Sequence, residues 1–374
     1  MFRSQGFSST NTRRLVLIAG LMLMTLALVS LPAAAQKATI TNLTSDIPDV
    51  GNFTDANLVN PWGMVATPAG PWWISDNGTG LSTLYDGTGK PQALVVTIPS
   101  GTSGTGTPTG VIYNNTSDFK INGSTPLFIY ATEDGTISGW SSGTAAVIAV
   151  NNSPSNYVYK GLALAQTNGT NYLYVANFHN GTVDVFDKNY APFSFGSGSF
   201  VDSTVPSGFA PFNVANIGNG MLAVTYAKQD AEKHDDVPGP GNGYVTIFNT
   251  SGTIQFRLPH TPYLNSPWAV VVAPASGFGG FSSDILVGQF GSGAIAAYTP
   301  GGNFVGLVFN PAALQLQING LWGLGFGNGT QSGPKTTLYF TAGYFDESHG
   351  ILGNITCCST GPYDVTTKLS RVKK

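Results

Sequence analysis

Short apolar runs of alternating pattern, broken by turns rich in Gly, Asn and Pro, recur along nearly the whole chain, the mark of half-buried β-strands rather than helices. Only residues 310–318, "NPAALQLQI", carry a helical period. Two runs nearly coincide: residues 60–68 read "NPWGMVATP" and residues 266–274 read "SPWAVVVAP". Four weaker copies, "TPTGVIYN", "YKGLALAQ", "APFNVANI" and "NGLWGLGF", begin at Thr107, Tyr159, Ala210 and Asn319. Aligning Gly63, Gly110, Gly161, Asn213, Ala269 and Gly323 gives spacings of 47, 51, 52, 56 and 54 residues. Each copy continues into a second strand, such as "PWWISDN" or "LYVANFHN", a third, such as "LSTLYD" or "TVDVFD", and in most units a fourth. Six units of four short strands at this period predict an all-β six-bladed β-propeller of four-stranded antiparallel blades.

The repeated residues have physical roles in that fold. First strands converge on the central channel, where small residues such as Gly63, Gly161 and Gly323 permit close approach. Trp62, Trp268 and Trp322 recur one position earlier, where the plain expectation is packing between blades and the other is lining a ligand pocket. Asn-Gly pairs at Asn77, Asn168, Asn180 and Asn328 suit tight hairpins. The sixth unit ends after its third strand, "GILGNIT", while an unassigned strand, residues 38–44, precedes the first unit. Pairing the two would close the ring and cover an open edge.

Residues 1–35 have a basic start, an apolar run and an Ala-Ala-Ala end, the pattern of a secretory signal peptide cleaved before Gln36. This divides the chain into a leader (1–35), a propeller (36–356) and a basic tail (357–374), with a secreted or periplasmic location. No later segment is apolar enough for a transmembrane span, and a monomer is expected. Charged residues make up only 9% of the chain, so a local charge cluster carries information. The net charge is −3, to which the leader contributes +3 and the tail +3, leaving −9 on the body. An acidic body argues against nucleic acid as a partner. The only cysteines, Cys357 and Cys358, are adjacent and form no framework.

Residues 173–187, "LYVANFHNGTVDVFD", resemble an NHL-type repeat. With "NLVNPWG", "WWISDNGTGLSTLYDG" and "KHDDVPGPGNGYV", the chain after the leader resembles a family of exported bacterial six-bladed propellers with no assigned activity. The resemblance implies a fold and a location, and no substrate. Thr182 stands where NHL repeats often carry Arg, which weakens any borrowed RNA-binding role.

In such a ring the loops between second and third strands share one face with the loops joining blades. The scarce polar chemistry falls there: Asp76 and Asn77; Glu133 and Asp134; Asn177, His179 and Asn180; Asp230, Glu232, His234, Asp235 and Asp236; His260; and Asp346, Glu347 and His349. All four histidines thus lie on one predicted face. Of these, Asp76, Asn77, Glu133, Asn177, His179, His260, Asp346 and Glu347 are the ligand-binding candidates. Asp230, Asp235 and Asp236 are the metal candidates, for Ca²⁺ or Mg²⁺, which take oxygen ligands. His234 and His349 are the candidates for moving a proton. No G-x-S-x-G elbow or Cys/His pair supports a serine or cysteine hydrolase. Two functions are compatible with this pattern: an exported propeller binding a small molecule or an extracellular or periplasmic protein at its channel mouth, or a divalent-metal-assisted hydrolase or lyase resembling lactonase-type propellers.

Overall fold

The computed structural model describes Met1, residues 38–312 and residues 314–357; the leader, apart from Met1, and the tail from residue 358 lie outside the described residues. The chain divides into two units, Met1–Gln36 and Lys37–Lys374, and every strand among the described residues belongs to the second.

These strands form six antiparallel blades, in which the first strand is innermost. The innermost strands are Pro61–Ala66, Pro108–Tyr113, Tyr159–Thr167, Phe209–Gly218, Pro267–Val272 and Leu321–Phe326. Each packs against its neighbour, and that of blade six packs against that of blade one, so the ring is closed. Six clusters of buried apolar side chains fill the gaps between blades; Ile129, Ile137, Leu173 and Val175, for example, join blades two and three.

Closure is made by the N-terminal strand Ala38–Ser45, which pairs antiparallel with His349–Cys357 from Ala38 opposite Cys357 to Ser45 opposite Ile351. A further short strand, Phe53–Thr54, runs parallel beside it and makes blade six five-stranded. Cys357 is disulfide-bonded.

Every innermost strand slips its register against the second strand at the same place, between Pro61 and Met64, Pro108 and Val111, Tyr159 and Leu162, Pro211 and Asn213, Pro267 and Val270, and Leu321 and Leu324. Such a slip bends the strand and re-aims a side chain. At the slip the backbones nearly touch: a Cβ on Gly63 would lie 2.7 Å from Thr109 O, and one on Gly161 would lie 2.9 Å from the Asn213 Cα. This is the close approach for which glycine was expected.

The re-aimed residues are Trp62, Thr109, Lys160, Phe212, Trp268 and Trp322. The three tryptophans do more than pack between blades. Trp62 stacks on Trp322 at 3.5 Å and 17°, Trp268 meets both edge-on at 6.0 and 5.9 Å, and Phe212 and Phe290 complete the group. Together they plug the channel on its axis.

One expectation fails. Residues 310–312 and 314–318 are not helical: the Asn310 carboxamide accepts bonds from the amides of Ala312 and Leu314, and Phe309 bridges to Gln315. The apparent period comes from Leu316 and Ile318 dropping into the blade five–six core. The only helical elements among the described residues are two single 3₁₀ turns.

Candidate functional site at the charged channel mouth

Pro61 pairs with Asp76 and Ala66 with Trp72, so the turns between second and third strands stand at one mouth of the channel and those between first and second strands at the other. The acidic loops share the first mouth.

At its floor lies Lys160. It occupies the ring position held elsewhere by tryptophan, phenylalanine or threonine, is 1% exposed, and its ammonium sits 5.0 Å from the Trp62 ring centre and 5.7 Å from that of Phe178. Glu133, in the blade-two turn and 10% exposed, takes a close ion pair from it through Oε1. Asp235, on the blade-four loop and 64% exposed, takes a second at 3.1 Å. Burial acts to lower the Lys160 pKa, but the two carboxylates outweigh it and hold the ammonium above its ordinary value.

The network continues outward. His234 Nδ1 lies 3.1 Å from Asp235 Oδ1, and that bond raises the imidazole and depresses the carboxyl. Asn77 Nδ2 donates to Glu133 Oε2 at 2.7 Å. Asn60, in the left-handed region at φ 46°, donates to Asn77 Oδ1 at 3.3 Å and to Glu347 Oε2 at 2.7 Å, while its own Oδ1 accepts from Trp322 Nε1 at 3.1 Å. Burial raises Glu347 to about 7. Its loop holds three successive left-handed residues, Phe345, Asp346 and Glu347, at φ 49°, 54° and 64°. Side-chain-bearing residues resist that conformation, so the loop is a strained segment held over the mouth. Beside it a cleft of about 630 Å³ between blades five and six is walled by Phe290, Tyr344, Phe345, Asp346 and Glu347.

Of the residues singled out in the sequence, Asn77, Glu133, His234, Asp235 and Glu347 belong to this network, and Asp346 lines the cleft. The others serve elsewhere. Asp76 is buried and accepts from Thr83 at 2.7 Å; Asn177 likewise donates to Asp184 at 2.8 Å. Both stitch second strand to third. Asp230 closes its own loop by accepting from the His234 amide. Asp236 turns one carboxylate oxygen inward, and burial raises it to about 6. His260 stacks on Tyr244 at 4.3 Å, His349 bonds Asp46 at 2.6 Å, and the His179 carbonyl receives the Gln229 amide at 3.4 Å. Lys160 and Asn60 were missed, although a lysine at a tryptophan position of the repeat was the available signal.

The three potential ligand atoms that lie within 4.8 Å of one another among the described residues belong to Glu133, His234 and Asp235. Asp235 alone was among the metal candidates; Asp230 and Asp236 are not part of this set. The set does not fit a divalent ion well, because both Glu133 oxygens and Asp235 Oδ1 are already bonded, two of these three atoms to the Lys160 ammonium.

Three of the four segments that carry the sequence resemblance supply Asn60 and Trp62, Asn77, and His234 and Asp235 to this one mouth. Two uncharacterised proteins of Acanthamoeba polyphaga mimivirus align with nearly the whole chain. One is 31% identical over 334 residues, covering 84% of this chain and 79% of the relative; the other is 30% identical over 321, covering 80% and 81%. The chain belongs to their family. These relatives are viral, which leaves the bacterial origin expected for the family without support. No family model matches the chain. Solved structures similar to this family member include a Bacteroides thetaiotaomicron protein of unknown function (10% identity, TM-score 0.55, covering 86% of this chain and 76% of that one). Another is a calcium-binding regucalcin from Agrobacterium tumefaciens (11%, 0.51, 83% and 94%), and a third is an inactive virginiamycin B lyase from Staphylococcus aureus with quinupristin (11%, 0.50, 86% and 99%). At these identities the likeness is one of fold.

Proposed function

We propose that the protein is a binding protein whose charged mouth captures a small, positively charged organic ligand in the cleft beside Glu347. The carrying observation is the presence of Glu347 and Asp346 with the aromatic side chains of Phe290, Tyr344 and Phe345 around one cleft. A cation gains there from carboxylates and ring faces together. Asn60 links Glu347 to Trp322, so capture is reported in the plug. The site is closed below by that plug and acidic around it, which favours cations on approach.

The metal-assisted alternative has less support. The similar regucalcin is described as calcium-binding, but in this chain a lysine ammonium already neutralises the carboxylates that would ligate an ion. A propeller fold alone implies no reaction.

Titrating the purified protein with spermidine and with tetraethylammonium, followed by tryptophan fluorescence and calorimetry, tests the reading. Saturable binding that Glu347→Gln weakens at least about tenfold, a change of ~1.4 kcal/mol, supports it. Binding of neither cation, or binding indifferent to that substitution, refutes it. We further propose that residues 1–35 act as a leader and that the protein is exported; N-terminal sequencing of the secreted or periplasmic product should begin at Gln36.

A further inference from the structure

The plug divides the channel into two cups of opposite character. Beneath it, at the mouth where first strands turn into second strands, a cavity of about 410 Å³ is centred on the axis. Its wall is built by all six innermost strands, and apolar side chains such as Met64, Ile112, Leu164, Ala215, Val270 and Leu324 share it about equally with neutral polar groups. It widens into two side bays, one reaching Asn328 and the other reaching Gln166 and Asn171. No Asp, Glu, Lys, Arg or His lines the cavity or either bay. The charged mouth, by contrast, gathers many of the acidic residues of the chain.

Each innermost strand has a β-ladder on one side only, with the second strand of its blade. Its other edge faces the axis and offers backbone N–H and C=O groups to whatever enters. Some are taken by side chains of neighbouring blades: Asn216 Nδ2 donates to Leu164 O at 2.8 Å, Asn213 Nδ2 to Trp268 O at 2.9 Å, and, nearer the plug, Thr109 Oγ1 to Tyr159 O at 2.9 Å and Thr341 Oγ1 to Trp62 O at 2.5 Å. The rim adds neutral polar groups from Tyr113, Asn115 and Asn216.

We propose that this uncharged cup is a second binding site, separate from the charged mouth, for an uncharged, amphipathic small molecule that carries hydrogen-bonding groups. A charged ligand would enter without a counter-ion and lose its hydration, whereas a neutral one trades water for apolar side chains and open strand edges. The volume falls in the range usual for small-molecule sites, and the plug gives it a closed floor.

The neutral solvatochromic dye Nile red and the anionic dye 8-anilinonaphthalene-1-sulfonate test the assignment. Nile red should bind saturably near one per chain with a blue-shifted emission, and the anionic dye at least about tenfold more weakly. Ala215→Glu should abolish Nile red binding by placing a charge on the wall. Asn115→Trp, at an exposed rim position that leaves the core untouched, should block access and weaken binding about tenfold even if the first variant fails to fold. The assignment is overturned if Nile red does not bind, if the anionic dye binds as well, or if a folded Asn115→Trp protein binds as the parent does.

Discussion

The Lys160 ammonium lies over the face of Trp62, 5.0 Å from the ring centre, and between the carboxylates of Glu133 and Asp235. A charge this deeply placed is tolerable only because all three partners are present. The lysine serves as the cation of the charged mouth.

Lys160→Met should therefore leave Glu133 charged and nearly buried. The cost expected is about 3 kcal/mol, nearly all from the Glu133 side because Asp235 is largely exposed. Adding Glu133→Gln to the Lys160→Met protein should recover part of it in urea unfolding. Lys160→Ala should also create room for a metal among Glu133, His234 and Asp235. Mn²⁺ or Ca²⁺ should then raise the melting temperature of that variant and leave the parent unmoved; an equal shift in both would show that the ammonium does not fill the site.

Stability should fall as pH rises toward neutrality. Burial lifts Glu347 from 4.5 to about 7, so the folded protein keeps a proton that the unfolded chain releases in that window. Asp236, lifted from 3.8 to about 6 by burial, acts with the same sign. Protons bound preferentially by the folded state make stability decline with pH across the interval. Glu347→Gln should flatten the melting profile there, and cation affinity of the parent should increase through about pH 7 as Glu347 ionises. A parent profile as flat as that of the variant would contradict this.

The approach of innermost strands sets a steric limit. A Cβ at Gly161 would run into Asn213 Oδ1, so Gly161→Ala should destabilise by on the order of 1–3 kcal/mol. Asn213→Ala removes the obstructing carboxamide, and the double variant should be more stable than the sum of the single effects implies. Strict additivity in unfolding titrations would mean the clash is relieved elsewhere.

Ring closure should depend on the N-terminal strand. Ile40 sits opposite Ile355, and Ile40→Pro fixes its φ at about −65°, which distorts the strand. The melting temperature should drop by several degrees, whereas proline at exposed Glu232, in the blade-four loop, should change little. Equal melting of parent and Ile40→Pro would mean that blade six holds without its closing strand.

The period of the repeat and the small residues at the channel were legible because each is a local rule repeated around the ring, and the closing strand because it was the one strand left without a unit. The site was less so. Sequence places Asp76, His179, His260 and His349 on the correct face but cannot say which way each side chain turns. Asp76 and Asn177 end second strands, where the side chain points back to bond a residue seven positions later, Thr83 or Asp184. His349 and His260 have nearer partners in Asp46 and Tyr244. Lys160 escaped notice because a lysine reads as solvated by default. Only the register slip in its strand, which aims it at the axis, reverses that reading.

Ala38 is among the first residues of the ring to be synthesised and Cys357 is the last one described, yet they stand opposite each other in one ladder. Blade six therefore cannot be completed until the strands at both ends of the ring have been made. While the rest of the ring is being made the opening strand must wait without its partner, exposed to any other β-edge that offers itself. Closure of the ring is a late event, and the ring's most vulnerable moment comes just before its last strand arrives.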